Sequence, residues 1–332
     1  MKKNLLLLFS SLSISFAVAE IICRVKGNYL SYNERTGAGA YTSPFEPTDR
    51  GHTHRYKAFE KQLVTRNEFT DSWTANEDGL KDQNISPIKR GKRILVIGDS
   101  FTEGVGAPPE SSYPRILQTL LDSNVQVINA GIGGSDIFFE YKLLQAVHAK
   151  YKPDAVIVTC NPSDIVEYMV RDGFERFLPN DKVSYRKAPW FEPFYAHSLL
   201  VRLLVHDVFH YDFNFIRQKD YSAELAKAEA GMCSAIDSLQ SFCNTNNIWL
   251  GVLFHPFYGD VQHPELYTMQ PLIAYCSQKN IPNSDALPFL FKNGISAQNW
   301  QGIYWPGDGH FNSKGYEMMA NCSFELLKNK VW

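Results

Sequence analysis

Two short stretches, far apart in the chain, hold residues able to do chemistry together. In ILVIGDSFTEG, residues 94–104, four apolar residues run into Gly98-Asp99-Ser100 and on into helix-compatible polar sequence. A serine alone is a weak nucleophile. It needs a base, a group that orients the base, and donors for the oxyanion that forms on attack. The stretch YWPGDGHFNSKGYEMMA, residues 304–320, offers the first two, because Asp308 and His310 share a Gly-rich loop just before an amphipathic helix. A carboxylate beside a histidine fixes its tautomer and stabilises the imidazolium. Taken alone, Asp308 and His310 read as a cap region with a surface histidine. Paired with a serine at a strand end, they read as acyl-transfer machinery: Ser100 as nucleophile, His310 as general base and then acid, Asp308 as the carboxylate that orients His310.

Rigid elements must bring these stretches together. Apolar, β-branched runs recur at RILVIG (93–98), VQVINA (125–130), DAVIVTC (154–160), IWLGVLF (248–254) and, more weakly, IPNSDAL (281–287). Between them, residues 113–122, 138–151, 223–245 and 313–329 carry apolar side chains at helical spacing. Strands buried on both faces and alternating with helices predict an α/β sandwich around a parallel sheet with right-handed crossovers. In such a sheet functional groups gather at the carboxyl ends of the strands, which places Ser100 at the crevice just after the first of these strands. Two segments fall outside the alternation. Residues 24–90 are polar with no sustained period and read as an N-terminal extension packed on a main domain of residues 91–332. Residues 168–221, after the third strand, form a long insertion dense in aromatics and histidine, read as a lid, a substrate wall or a covering excursion. Its one helix-like piece is SLLVRLLVHDVFH (198–210).

With 332 residues, 44% hydrophobic content and a formal net charge of −2, the chain can bury one large core and carries no basic footprint for nucleic acid. The start, MKKNLLLLFSSLSISFAVAEIICR, places two lysines before an apolar run and Ala17-Val18-Ala19 at a small-residue cleavage position. Residues 1–23 therefore read either as an export signal or as a retained membrane anchor, with the remainder periplasmic or extracellular. The cysteines at 23, 160, 233, 243, 276 and 322 lack zinc spacing. Cys233 with Cys243, or Cys276 with Cys322, are candidate pairs in an oxidising compartment, and burial as small apolar residues is the alternative.

On these residues the chain resembles the SGNH hydrolases, also called the GDSL esterase/lipase superfamily. Gly98-Asp99-Ser100 is similar to the block that carries the nucleophile; NAGIGGSD (129–136) to the second block, with Gly134 at the block's glycine; CNPSDI (160–165) to the third; and GDGHFNSKG (307–315) to the fifth. The extension with TANEDGLKD (74–82) before the first block also resembles membrane-anchored bacterial members. The resemblance implies a three-layer, flavodoxin-like α/β/α sandwich with strand order 2-1-3-4-5, no metal or other cofactor, and ester hydrolysis through an acyl-serine. It also implies an oxyanion hole made by the N–H groups of Ser100 and Gly134 and a side-chain amide. Family members usually place that amide on an Asn immediately before an Asp. Here Ser163 precedes Asp164, and Asn161 stands two residues earlier, across Pro162. Because Pro162 biases Asn161 towards an extended conformation at the strand end, Asn161 is the expected third donor, with the Ser163 hydroxyl as competitor and Asp164 as loop support. In the fifth block the Asp often stands three residues before the His, where this chain has Gly307; Asp308 stands two before.

The other polar residues have plainer readings. Asp99 is a turn residue whose carboxylate serves local backbone donors. His255 at the fourth strand end is structural, and His197, His206 and His210 belong to a surface helix rather than a zinc site. Glu103, Asp136 and Asp172 have no partner that the sequence identifies. The expected activity is hydrolysis of an acyl ester, acetyl included, of a carbohydrate or cell-envelope polymer. Lipid esters, an O-acyltransferase using the same residues, and a non-catalytic envelope-binding protein are the alternatives left open.

Overall fold

The computed structural model describes residues 2–27, 30, 40–43, 45, 51–179 and 181–328. Parts of the expected extension (24–90) and the last residues, 329–332, lie outside the described residues. The chain begins with α1 (Lys2–Lys26), then a hairpin of β1 (Lys61–Thr65) and β2 (Thr70–Thr74). The main domain follows as β3 (Lys92–Gly98), α2 (Ser100–Glu103), α3 (Tyr113–Leu120), β4 (Val125–Gly131), α4 (Ile137–Tyr151), β5 (Ala155–Cys160) and α5 (Pro162–Arg171). After α6 (Glu192–His197), α7 (Leu199–Leu203) and α8 (Tyr221–Thr245) come β6 (Trp249–Phe254), α9 (Tyr258–Gln262), α10 (Gln270–Gln278), β7 (Asn283–Asp285), α11 (Ala286–Lys292) and α12 (Ser313–Leu327).

Strands β3 to β7 form one parallel sheet in the order β4-β3-β5-β6-β7, which is 2-1-3-4-5 in chain order, as expected. Every residue of β5 is buried, as are Ile94, Leu95, Val96 and Ile97 of β3, so both faces of the sheet are covered. One helical layer is α4, α5 and α10 packed around α8; the other is α3 and α11 packed against α12. Short β-branched runs flanked by long helices give this result because a strand buried on both sides has no polar face to show.

Register fixes the functional edge. Gly98 pairs with Gly131, Ile97 with Val158 and Cys160 with Phe254, so the turns that follow these strands open on the same side of the sheet. Gly98 lets α2 pack close, since a Cβ there would meet Thr102 Oγ1 at 2.0 Å. Thr102, Tyr113 and Thr159 then join in one buried hydroxyl cluster, with 2.9 Å between the threonine hydroxyls and 2.7 Å from Tyr113 to Thr159.

The two segments outside the alternation have structure of their own. Residues 61–74 form an antiparallel hairpin whose strands alternate exposed with more buried positions and sink Asp71 and Trp73. The insertion starts later than its composition indicates, because residues 168–171 complete α5. It builds a small core from Tyr195, Val205 and Phe215, which Phe45 of the extension joins. The helix expected over residues 198–210 appears as α7 followed by a π-helical turn over Leu204–Val208. All six cysteines are unpaired, and Cys23, Cys160, Cys243, Cys276 and Cys322 are buried. Burial raises the Cys243 and Cys276 thiols to about 12, which keeps them as inert packing groups.

Candidate active site

Ser100 is the first residue of α2, and Asp99 caps that helix by accepting the Phe101 N–H at 2.9 Å. The cap turns the serine side chain out of the sheet towards the loop before α12. There His310 Nε2 lies 2.8 Å from Ser100 Oγ, and His310 Nδ1 lies 2.5 Å from Asp308 Oδ1. Asn312 stops the loop and starts α12, accepting the N–H groups of Lys314 and Gly315 at 3.0 and 3.3 Å. Within the loop Trp305 N–H donates to the His310 carbonyl at 2.8 Å, and Gly309, at φ +95°, makes the tight return. The Trp305 indole donates to the Gly106 carbonyl at 2.8 Å, which ties this loop to the segment after α2.

The loop is also braced from the hairpin connection, residues 66–69. Glu68 Oε2 accepts the Gly307 and Asp308 N–H groups at 2.7 and 2.9 Å, and Arg66 Nε donates to Asp308 Oδ2 at 3.2 Å. Burial opposes ionisation of Asp308, but the hydrogen bond and charge of His310, with Arg66 beyond, outweigh it and hold the carboxyl below its ordinary value. Sequence reasoning missed Arg66 and Glu68. The only signal was two charges in a four-residue turn between short polar strands, with nothing to say which loop the turn meets.

These groups open on a cavity of about 400 Å³ whose wall includes Ser100, Gly134, Ser163, Glu167, Tyr258 and His310. Gly134 adopts φ +74°, a conformation suited to glycine, and a Cβ built there meets nothing. Arg171 Nη1 donates to its carbonyl at 2.9 Å. Among the described residues neither the Ser100 N–H nor the Gly134 N–H meets an acceptor. Glu167 reaches the cavity from α5, with Oε1 3.1 Å from Arg171 Nη2, and burial pushes its carboxyl well up.

Asn161 is placed differently from the expected donor. It is the N-cap of α5, 1% exposed, and absent from the cavity wall. Its Nδ2 donates to Asp99 Oδ2 at 2.8 Å and lies 3.3 Å from His255 Nε2, while Oδ1 accepts the Ser163 N–H and hydroxyl at 2.8 and 2.7 Å. The cause is the capping box. Asp164 Oδ2 accepts the Asn161 N–H at 2.8 Å, which fixes the Asn161 backbone and turns its amide inward. Asp164 also accepts the Ile137 N–H at 3.2 Å and so joins the starts of α4 and α5.

The remaining candidates have structural surroundings. His255 is buried beside the Phe101 ring, 4.5 Å between centroids, and burial lowers it to about 4, so it is neutral at physiological pH. Glu103 is buried, accepts the Gly133 N–H at 2.6 Å, and receives the Tyr56 hydroxyl; burial raises it. Lys81 of the extension bonds Asp71 and the Gly104 and Ala107 carbonyls, the latter two at 2.9 and 3.0 Å, and fixes the end of α2. Asp136 caps α4 and takes two bonds of 2.5 Å from Arg176; burial opposes its ionisation, but the Arg176 charge and bonds lower it. Asp172 sits at the C-cap of α5. His206 lies between the Tyr195 hydroxyl and the Tyr211 carbonyl, and no group of three metal-ligating side chains occurs among the described residues.

No protein-family model and no curated protein sequence matches the chain. Solved structures do. A lipolytic G-D-S-L family protein from Veillonella parvula shares 16% identity over 72% of this chain and 100% of its own, with a TM-score of 0.45. A two-domain esterase active on acetylated mannans shares 16% identity over 73% of this chain and 50% of its own, at a TM-score of 0.44. An acetyl-xylooligosaccharide esterase from Geobacillus shares 15% identity over 73% of this chain and 98% of its own, at a TM-score of 0.41. In its sheet order, in its Gly98-Asp99-Ser100 turn and in the Asp308–His310 loop, the chain resembles the GDSL, or SGNH, hydrolases.

Proposed function

We propose that the protein is an exported serine esterase that hydrolyses acyl esters, acetyl esters of carbohydrate or cell-envelope polymers first among them. The observation that carries the reading is the continuous Ser100–His310–Asp308 relay, 2.8 and 2.5 Å between its polar atoms, at the wall of an open cavity. Ser100 Oγ attacks the ester carbonyl as His310 Nε2 takes its proton. His310 then gives that proton to the leaving alcohol, and a water activated the same way releases the acid from Ser100. Asp308 stays ionised and holds Nδ1–H, so the base keeps one tautomer throughout.

The developing oxyanion is met by the N–H groups of Ser100 and Gly134. Ser163 supplies the third donor, because its hydroxyl lies at the cavity wall and can rotate away from Asn161, whereas the Asn161 amide is committed to Asp99. In this reading Asn161 acts one step back, positioning Ser163 and Asp99. The Glu167 carboxyl and the Tyr258 hydroxyl give the wall polar groups suited to sugar hydroxyls. Export follows from Lys2 and Lys3 preceding the apolar run of α1.

A fluorophosphonate probe tests the core of this. Ser100 is expected to be the one serine labelled, with Ser100→Ala abolishing both labelling and turnover of short acyl esters. Labelling at another serine, or full activity in the variant, refutes the reading.

A further inference from the structure

Helix α1 has a single acidic residue, Glu20, and that residue is fully engaged by the distant insertion. Glu20 Oε2 accepts the Ser198 hydroxyl at 2.7 Å and the Leu200 N–H at 2.9 Å, and Oε1 accepts the Leu199 N–H at 3.1 Å. One helical turn later Arg24 pairs with Glu20 at 2.8 Å and donates to the His197 carbonyl at 2.9 Å, and Cys23 between them is buried. The last two turns of α1 are thus pinned to the start of α7. The turns before them are not: Leu5, Leu6, Leu7, Phe9, Leu12 and Ile14 are all exposed, in a helix long and apolar enough to cross a bilayer. An uncovered apolar helix that ends in a polar clamp has the layout of a span meeting a domain at the membrane surface.

The insertion carries the matching surface. Trp190 and Phe194, 83% and 61% exposed with ring centroids 6.5 Å apart, precede the clamped residues directly in the chain. The neighbouring Tyr195 is buried in the insertion's own small core, so the two exposed rings stand on packed structure. Lys187 is exposed a few residues before them, and the exposed Lys26 ends α1, so basic side chains flank the patch in the chain. Tryptophan and phenylalanine beside basic residues at the end of a span suit the headgroup layer of an anionic bilayer.

We infer that α1 is retained as a membrane anchor and that the Glu20 clamp lays the insertion on the outer surface of the same bilayer, with Trp190 and Phe194 at headgroup depth. The inference rests on the export reading above for the side of the membrane, and not on the esterase chemistry.

The test uses the full chain reconstituted in vesicles of phosphatidylcholine and phosphatidylglycerol. Tryptophan emission is quenched either by lipids brominated on the acyl chains or by aqueous iodide, and Trp190→Phe isolates the Trp190 signal by difference. The expected result is at least twofold quenching of the Trp190 signal by brominated lipid and little by iodide. Glu20→Ala is expected to stay with the vesicles through α1 yet lose most of that quenching. Iodide quenching without lipid quenching overturns the inference. Protection from both quenchers also overturns it and assigns the patch to a protein partner. Undiminished lipid quenching in Glu20→Ala removes the clamp. Intact mass of membrane-extracted protein is expected to include residues 2–26; cleavage after Ala19 overturns the anchor while leaving export standing. A cytoplasm-facing reporter overturns export without touching the quenching result.

Discussion

Two loops border Ser100, and they use their polar residues in opposite senses. The loop of residues 304–312 points Asp308 and His310 at the serine and is braced from outside, by Glu68 and Arg66 of the hairpin. The turn of residues 160–164 points its best donor inward, where Asn161 braces Asp99 and Ser163, and leaves only the smaller Ser163 at the cavity. Both loops border the same cavity, so location alone does not assign a role. What decides is whether a side chain's hydrogen-bonding capacity is already taken. A histidine held by one carboxylate keeps its second nitrogen for the serine, while a capping amide whose donors meet a carboxylate and an imidazole has none to offer.

The strongest way to break this contrast is at His310. His310→Ala removes the proposed general base and is expected to lower kcat by at least about 10³-fold, with Asp308→Ala no more damaging, up to about 10⁴-fold for loss of an orienting carboxylate. Steady-state hydrolysis of a short acyl ester measures both. A variant of His310 that retains activity, alongside a dead His255→Ala, moves the base to the other histidine.

The second test sets activity against stability inside the 160–164 turn. Ser163→Ala is expected to lower kcat about 10- to 100-fold with an unchanged unfolding midpoint, since it removes the proposed oxyanion donor from the cavity wall. Asn161→Ala is expected to destabilise the fold by about 2–4 kcal/mol, from the lost cap and from the buried Asp99 oxygen left unpaired. Urea unfolding and hydrolysis on both variants separate the two roles. A large kcat loss in Asn161→Ala at unchanged stability returns the amide to the oxyanion.

The outcome at Asn161 shows what a sequence carries and what it does not. The five buried strands, the helices between them and the strand order were legible, since uninterrupted β-branched runs such as ILVI and AVIV leave few alternatives to a covered parallel sheet. Ser100, Asp308 and His310 were legible because strand-end and helix-start chemistry fixes where such side chains emerge. The hairpin was not, because its five-residue strands KQLVT and TDSWT are mostly polar and are stabilised by tertiary contacts of Trp73 and Asp71 rather than by a pattern. Nor was the direction of the Asn161 amide. Pro162 predicts an extended Asn161, and its φ of −146° agrees, but the extended backbone is equally that of an N-cap, and Asp164 three residues on completes the box.

The bracing of the 304–312 loop can be weakened without touching the relay. Glu68→Ala frees the Gly307 and Asp308 N–H groups, and the loop then samples positions in which His310 misses Ser100. The expected effect is a three- to tenfold fall in kcat, with KM little changed, because the cavity wall around the substrate is intact. An unaffected kcat shows that the loop holds itself, through Trp305 and Asn312, and that the hairpin only covers it.

The smallest effect lies behind the 160–164 turn, where carboxyls crowd. Glu140 on α4 is buried, with Oε1 3.2 Å from the Ser135 hydroxyl and Oε2 unpartnered among the described residues. Burial, then the charges of Asp164, Asp99 and Asp136, push its carboxyl well above the ordinary 4.5. A carboxyl raised on folding binds its proton more tightly in the native state than in the unfolded chain. Its contribution to stability is therefore fully present below about pH 4.5 and declines as pH rises from there through the folded value, since the native state then holds more protons than the unfolded one. Glu140→Gln keeps the shape and the acceptor for Ser135 but has no proton to release. The variant is expected to match the parent near pH 4.5 and to be the more stable of the two at pH 8, read from urea midpoints at the two pH values. The turn facing the cavity should be indifferent, so kcat at saturating ester is expected to stay within twofold. A variant less stable than the parent at both pH values instead assigns Glu140 a bond made only by its charged form, and with it a cost that the inward-facing side of this site, unlike the braced His310 loop, cannot shed.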